Sequence, residues 1–272
     1  MPDTHIALRE AAAGYGDRLV FEGLTLEIPA GQVTALCGPN GCGKSTALKA
    51  VRRLLPLRHG AALLGDRPVT ERSARTLARE IAMLGQTPEA PGDLTVRDLV
   101  GLGRYAHASR FTGPGAADRA AVDAALAAVD LSDLADRPIA ALSGGQLQRA
   151  WLAMTVAQEA PAILLDEPTN HLDIAHALET LDLVRRLAHE MGRTVVVVLH
   201  DLNLAARFAD RLVLFRDGRV AGQGPVSEVF RPELISHVFD VGCEIVMTSV
   251  GPMVVPFKNS RAAAQDGQRK AA

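Results

Sequence analysis

The chain has 272 residues, 48 % of them apolar and 22 % charged, with a formal charge of −2. This balance excludes an intrinsically disordered chain and disfavours a broad basic face for nucleic acid. Three cysteines (Cys37, Cys42 and Cys243) with no C-x-x-C pair exclude a disulfide scaffold and a structural zinc site, and fit reduced thiols in a cytoplasmic protein.

In chain order, residues 1–32 alternate apolar and polar positions between glycine breaks and read as strands joined by turns. Val33–Cys37 is a buried strand that runs into a Gly-rich loop and then a helix from about Lys44 to Leu55. Residues 61–84 bring short strands and a helix around 71–80. From about 90 to 158 the chain turns Ala- and Leu-rich, with Val122, Leu126 and Val129 on one helical side, which predicts a helical subdomain. Ala162–Leu165 and Thr194–Leu199 are continuous apolar runs, as in a parallel sheet covered on both faces. Leu212–Phe215 before Asp217-Gly218 predicts a strand and a hairpin turn, and the polar stretch 258–272 a loose tail. No run approaches 18 apolar residues, and the first residues lack the basic-then-apolar order of a secretion signal. Work at a membrane would need another chain to supply the membrane part.

Gly38-Pro39-Asn40-Gly41-Cys42-Gly43-Lys44-Ser45 fits G-x-x-x-x-G-K-[ST], with Thr46 following. Phosphates are densely anionic. Backbone N–H groups of a Gly-rich turn approach them unobstructed by Cβ atoms, and the helix N-terminus points its positive end at the same place. Lys44 adds a point charge for the outer phosphates, and Ser45 a hydroxyl for Mg²⁺. Four of the 29 basic residues are lysine, so Lys44 stands out against arginine-rich surroundings. A plain Gly-rich turn would leave the strand before it and the helix after it unexplained.

Asp166 and Glu167 end a buried strand, on the edge where open parallel sheets bind ligands. Asp166 suits Mg²⁺, through water. Glu167 suits the attacking water, from which it takes a proton or which it orients. A solvated acid pair in a Pro168 turn is the alternative. Leu142-Ser-Gly-Gly-Gln146 places a capping serine and two glycines at the start of a helix running to about Gln158, a second anion-accepting helix end.

This last motif resembles the signature of ATP-binding-cassette proteins, and the resemblance extends in order over about residues 5–250. It implies an α/β fold of the P-loop NTPase type: a parallel core sheet, an N-terminal antiparallel β region and a helical subdomain, in one cassette domain over 1–257. It implies that Tyr15 stacks on adenine, although an aromatic packed in the first sheet reads equally well from the residue alone. Gln86 resembles the glutamine that reaches Mg²⁺ and water, and Asp173, within Asn170-His-Leu-Asp173, the D-loop aspartate beside the partner subunit. His200 resembles the switch histidine at the γ-phosphate; a lone histidine is otherwise a structural hydrogen-bonder. The signature residues Ser143, Gly144, Gly145 and Gln146 act in this family on ATP held by the other subunit, which implies a homodimer clasping two ATP molecules with Mg²⁺.

Thr95–Val100 with Gly103-Arg-Tyr105, Leu172–His176 and Leu199–Asn203 resemble the subunits serving importers of iron-siderophores, haem and cobalamin. The expectation is an ATPase at the cytoplasmic face of the membrane. It would drive import of a ferric chelate through a separate permease, with a substrate-binding protein as indirect partner and no nucleic acid. Haem, cobalamin or another metal chelate is the alternative cargo, and a soluble cassette ATPase acting on nucleic acid or ribosomes the alternative role. The pattern departs at Ala106, Asn170 and His171, changes expected to leave the ATPase chemistry untouched.

Overall fold

The computed structural model describes residues 4–86, 93–108, 113–170 and 172–258. The expected tail and His171 therefore lie outside the described residues, apart from Lys258.

Three strands are buried at every position: β3 (Val33–Cys37), β7 (Ala162–Asp166) and β8 (Thr194–Val198). β-Branched and aliphatic runs of this kind are stable only with both faces covered. They form the centre of a six-stranded sheet with β6 (Ile81–Leu84), β9 (Arg211–Arg216) and β10 (Arg219–Pro225), in the order β10-β9-β3-β8-β7-β6. All neighbours pair in parallel except β9 and β10, which form the expected hairpin. Asp217 and Gly218 turn it with φ of 49° and 73°, the two left-handed residues of a tight hairpin turn.

Strand alternation divides the core in two. Leu36, Leu164, Val196, Val198, Val213 and Phe215 face a cluster shared with the first sheet and helix α1 (Lys44–Val51). That sheet is antiparallel: β1 (Ile6–Tyr15), β2 (Arg18–Ile28), β4 (His59–Leu64) and β5 (Arg67–Pro68), in the order β2-β1-β4-β5. Val33, Ala35, Ile163, Leu165, Val195 and Val197 face the other way, into a cluster with the helices. The chain is thus layered, with sheet over sheet on one side and helices on the other.

Helix α2 (Ala74–Glu80) precedes β6, and α3 (Val96–Gly101), α4 (Ala116–Ala128) and α5 (Gly144–Ala157) lie between β6 and β7. Thr95 and Ser143 each close a capping box at their helix, with Asp98 and Gln146, as the sequence predicts for Ser143. Helix α1 stops four residues before the expected Leu55, because Arg53 turns left-handed at φ 59° and its guanidinium bonds the Arg72 carbonyl at 2.8 Å. Beyond β7 come α6 (Ile174–His189), α7 (Leu202–Phe208), α8 (Val226–Val229) and α9 (Pro232–Phe239). A hairpin of β11 (Gly242–Thr248) and β12 (Gly251–Phe257) then packs on α7, where Asn203 exchanges two hydrogen bonds with the Val254 backbone. Among the described residues no helix is long and apolar enough to cross a membrane.

Candidate functional site

The parallel register brings four strand ends to one edge. Leu84 of β6 pairs with Leu165, Asp166 of β7 with Val198, and Leu36 of β3 with Val198. Gln86, Asp166-Glu167, the Gly-rich loop and His200 therefore leave the sheet side by side, at the edge where such sheets place ligands. Gln86, Glu167, His200 and loop residues 39–46 line a cavity of about 940 Å³.

The loop requires its glycines. Gly38 takes φ 150°, and a Cβ there would stand 2.3 Å from the Phe215 carbonyl oxygen. Gly43 caps α1 at φ 111° with no side-chain bond, which leaves the N–H groups of the first turn open to an anion. Lys44 is buried, and its Nζ donates to the carbonyls of Gly38 at 2.7 Å and Pro39 at 2.9 Å, with Cys42 Sγ at 3.6 Å. A buried ammonium needs such partners. Ser45 Oγ donates to Asp166 Oδ1 at 2.8 Å across the floor of the cavity. Burial pushes the Asp166 carboxyl above its ordinary range, with the Ser45 bond opposing and the Glu167 charge reinforcing. A hydroxyl and a carboxylate in contact, with the Gln86 amide lining the same cavity, form the sparse set of hard oxygen donors that suits Mg²⁺.

Glu167 has three side-chain partners. Gln86 Nε2 donates to Oε2 at 2.6 Å, Asn170 Nδ2 donates to the same oxygen, and His200 Nε2 lies 2.7 Å from Oε1. Burial alone would raise its pKa. The bonds from His200, Gln86 and Asn170 outweigh burial and hold the carboxyl below the ordinary range, so it is ionised near neutrality.

At the far end of the cavity Tyr15 is half exposed, with Lys49 Nζ 5.9 Å from the ring centroid. The ring is therefore free to stack rather than consumed in the first sheet. Cys37, beneath the loop, is pushed up to about 12 by burial, against the pull of Lys44, and is inert as a nucleophile.

The cavity thus gathers Tyr15, Pro39, Asn40, Gly41, Cys42, Gly43, Lys44, Ser45, Thr46, Gln86, Glu167 and His200, with Asp166 bonded beneath and Gly38 opening the loop. Ser143, Gly144, Gly145 and Gln146 are not among the residues that line it; they form the tip of α5, where Ser143 is exposed. The tip lies beside the first turn of α6, with His176 Nδ1 3.7 Å from the place of a Gly145 Cβ. Asp173 caps α6 and also stands outside the cavity, accepting from the His176 backbone and ring, each at 2.9 Å. Sequence reasoning missed Arg18, Leu19 and Val20, which enter the cavity wall from the start of β2, and Asp217, which enters it from the β9–β10 turn. It also took Asn170 to be remote from the ATPase chemistry, whereas its side chain bonds Glu167. The proximity of Asn170 to the acid pair was the available signal.

Comparison with known proteins agrees with this geometry. Residues 21–170 match the family described as ABC transporter. The iron(3+)-hydroxamate import ATP-binding protein FhuC of Bacillus subtilis (strain 168) is 45 % identical over 89 % of this chain and 90 % of its own length. The ferric enterobactin transport ATP-binding protein FepC of Escherichia coli (strain K12) is 44 % identical over 90 % and 91 %. Among solved structures, a metal-chelate type ABC transporter in an inward-facing conformation superposes with a TM-score of 0.80 at 26 % identity, covering 94 % of this chain and 98 % of that one. A dimeric bacterial ABC transporter cassette gives 0.72 at 28 % identity, covering 81 % and 98 %.

Proposed function

Since the chain belongs to the ABC transporter family, we propose that it is the ATP-hydrolysing subunit that energises import of a ferric-siderophore-type chelate through a separate membrane permease. One observation carries the enzymatic part: a phosphate loop, a Ser45–Asp166 pair and an ionised Glu167 held by side-chain donors meet in one cavity. Binding alone would need only the first of these.

ATP enters with its base against Tyr15 and its phosphates along the loop N–H groups and the N-terminus of α1. Lys44, already carried on the loop carbonyls, exchanges those contacts for the outer phosphate oxygens. Ser45, Asp166 and Gln86 would hold Mg²⁺, which when bound supplies positive charge to the phosphates. Glu167 takes a proton from the attacking water, and His200, beside it, stabilises the γ-phosphate.

The tip of α5 has the capped, glycine-opened form of an anion site yet lies off its own cavity. A second copy, arranged head to tail, brings that tip and Asp173 to the ATP of the first. Two ATP molecules close the pair, and hydrolysis releases it. The permease docks at the cytoplasmic face of the membrane, against the α3–α4 connection, where Tyr105 and Leu102 are exposed. The substrate-binding protein acts through the permease. Residues 1–257 form the cassette, with about 90–158 as its helical subdomain.

The test is reconstitution of this chain with its co-purifying permease in vesicles, measuring ATP hydrolysis and uptake of ⁵⁵Fe-loaded hydroxamate or catecholate siderophore. ATP-dependent uptake supports the reading. Uptake of haem or cobalamin in place of siderophore would move the cargo, and sedimentation with ribosomes in place of membranes would end the transport reading.

A further inference from the structure

Glu167 is gripped from three directions, and the grips differ in kind. Gln86 follows β6 and His200 follows β8, so each is carried by a strand other than the one that carries Glu167. Asn170 rides the same turn as Glu167. Its backbone N–H donates to the Glu167 carbonyl at 3.2 Å, and its side chain returns to Oε2 of the same residue. Glu167 itself sits at φ 58°, a left-handed conformation that costs a side-chain-bearing residue and persists only where neighbours enforce it. Among the described residues, the Asn170 side chain donates to no atom of the phosphate loop.

We propose that Asn170 is the positioning residue of Glu167, holding Oε2 so that Oε1 is the oxygen presented to the attacking water. The inference rests on the general-base role given to Glu167 above. A carboxylate oxygen offers two lone pairs in its plane. On Oε2 both are engaged, by Gln86 and Asn170, whereas among the described residues Oε1 has the single partner His200. A ligand that draws His200 or Gln86 toward itself frees those grips, because both side chains line the cavity from independent strands. Asn170 lines the cavity as well, but its grip survives, because the turn carries donor and acceptor together. Without it the carboxylate turns about its terminal torsion, which has broad wells, and the near-attack geometry is lost. The loss falls on the chemical step and leaves nucleotide binding in place.

The experiment is steady-state ATP hydrolysis by the full chain carrying Asn170→Asp, which keeps the shape and removes the donor, and by Asn170→Ala. In both, kcat falls about tenfold or more while KM for Mg-ATP stays within about twofold. In a Glu167→Gln background the same two substitutions leave the residual rate unchanged, since they act through that carboxylate. Parental kcat in either variant, a loss confined to KM, or an equal fractional loss in the Glu167→Gln background overturns the inference. A parent chain unable to hydrolyse ATP would instead sink the general-base reading; an active parent with indifferent Asn170 variants sinks this inference alone.

Discussion

Arg104→Met should destabilise the chain by about 3 kcal/mol. The side chain is 7 % exposed and ties three elements together. Nε donates to Asp118 at 3.0 Å, and Nη1 donates to the Ala157 carbonyl and to Glu159, each at 2.7 Å. The three bonds contribute unequally. Glu159 is 52 % exposed and recovers water when the arginine goes, so that arm adds under about 1 kcal/mol. Asp118 is 13 % exposed and keeps the Gly115 N–H at 2.9 Å, so its charge is only partly orphaned, at about 1–2 kcal/mol. The Ala157 carbonyl, at the last residue of α5, loses its side-chain donor, at about 1 kcal/mol. Methionine refills the stem, which keeps the cavity cost small. Urea unfolding followed by far-UV circular dichroism measures the difference. A loss below about 1 kcal/mol would show that the network is solvated after all and that the α3–α4 connection is fixed by apolar packing alone.

Glu167→Gln should keep ATP binding, trap the closed pair and cut turnover by about a hundred- to ten-thousand-fold; near-parental turnover removes the residue from the mechanism. Lys44→Ala should weaken nucleotide binding itself, read by fluorescent-nucleotide titration, because among the described residues no other cation is bonded within the loop. Ser143→Arg should abolish hydrolysis while each chain still binds one nucleotide, and unimpaired ATPase would count against the head-to-tail pair. Asp118 is held below the ordinary carboxylate range by the Gly115 N–H and then by Arg104, so its stabilising share is complete above the unfolded-state pKa and disappears as pH falls through the lower, folded value. Asp118→Asn should accordingly flatten the acid limb of stability against pH, and an unchanged acid limb would refute that assignment.

The chain's local chemistry made its chief motifs legible before any coordinates. A valine-rich run must be covered on both faces, a G-x-x-x-x-G-K-S loop must open a helix, and Ser143 must cap one. The loop and the cap depend on bonds between residues a few positions apart, so spacing alone determines them, and the run is marked by its own unbroken apolar composition. Helix α6 went unread although Ala177, Leu181, Val184 and Ala188 recur at helical spacing, whereas the β11–β12 hairpin lacked a signal because its partners are distant. Val254 finds Asn203, and exposed Val246 and Phe257 dilute the strand alternation.

The sequence by itself determined which groups exist for chemistry: a lysine in a glycine loop, two acids at a strand end, a histidine after another strand. Tertiary structure decided how they meet. Only the parallel register of β6, β7, β8 and β3 puts Gln86, Glu167, His200 and Lys44 on one edge, and only the fold of the turn after β7 sends Asn170 back onto Glu167. The cause is the difference in range: a cap or loop closes within a few residues, whereas a carboxylate's oxygens are apportioned among donors that hydrophobic burial of the whole sheet has brought together.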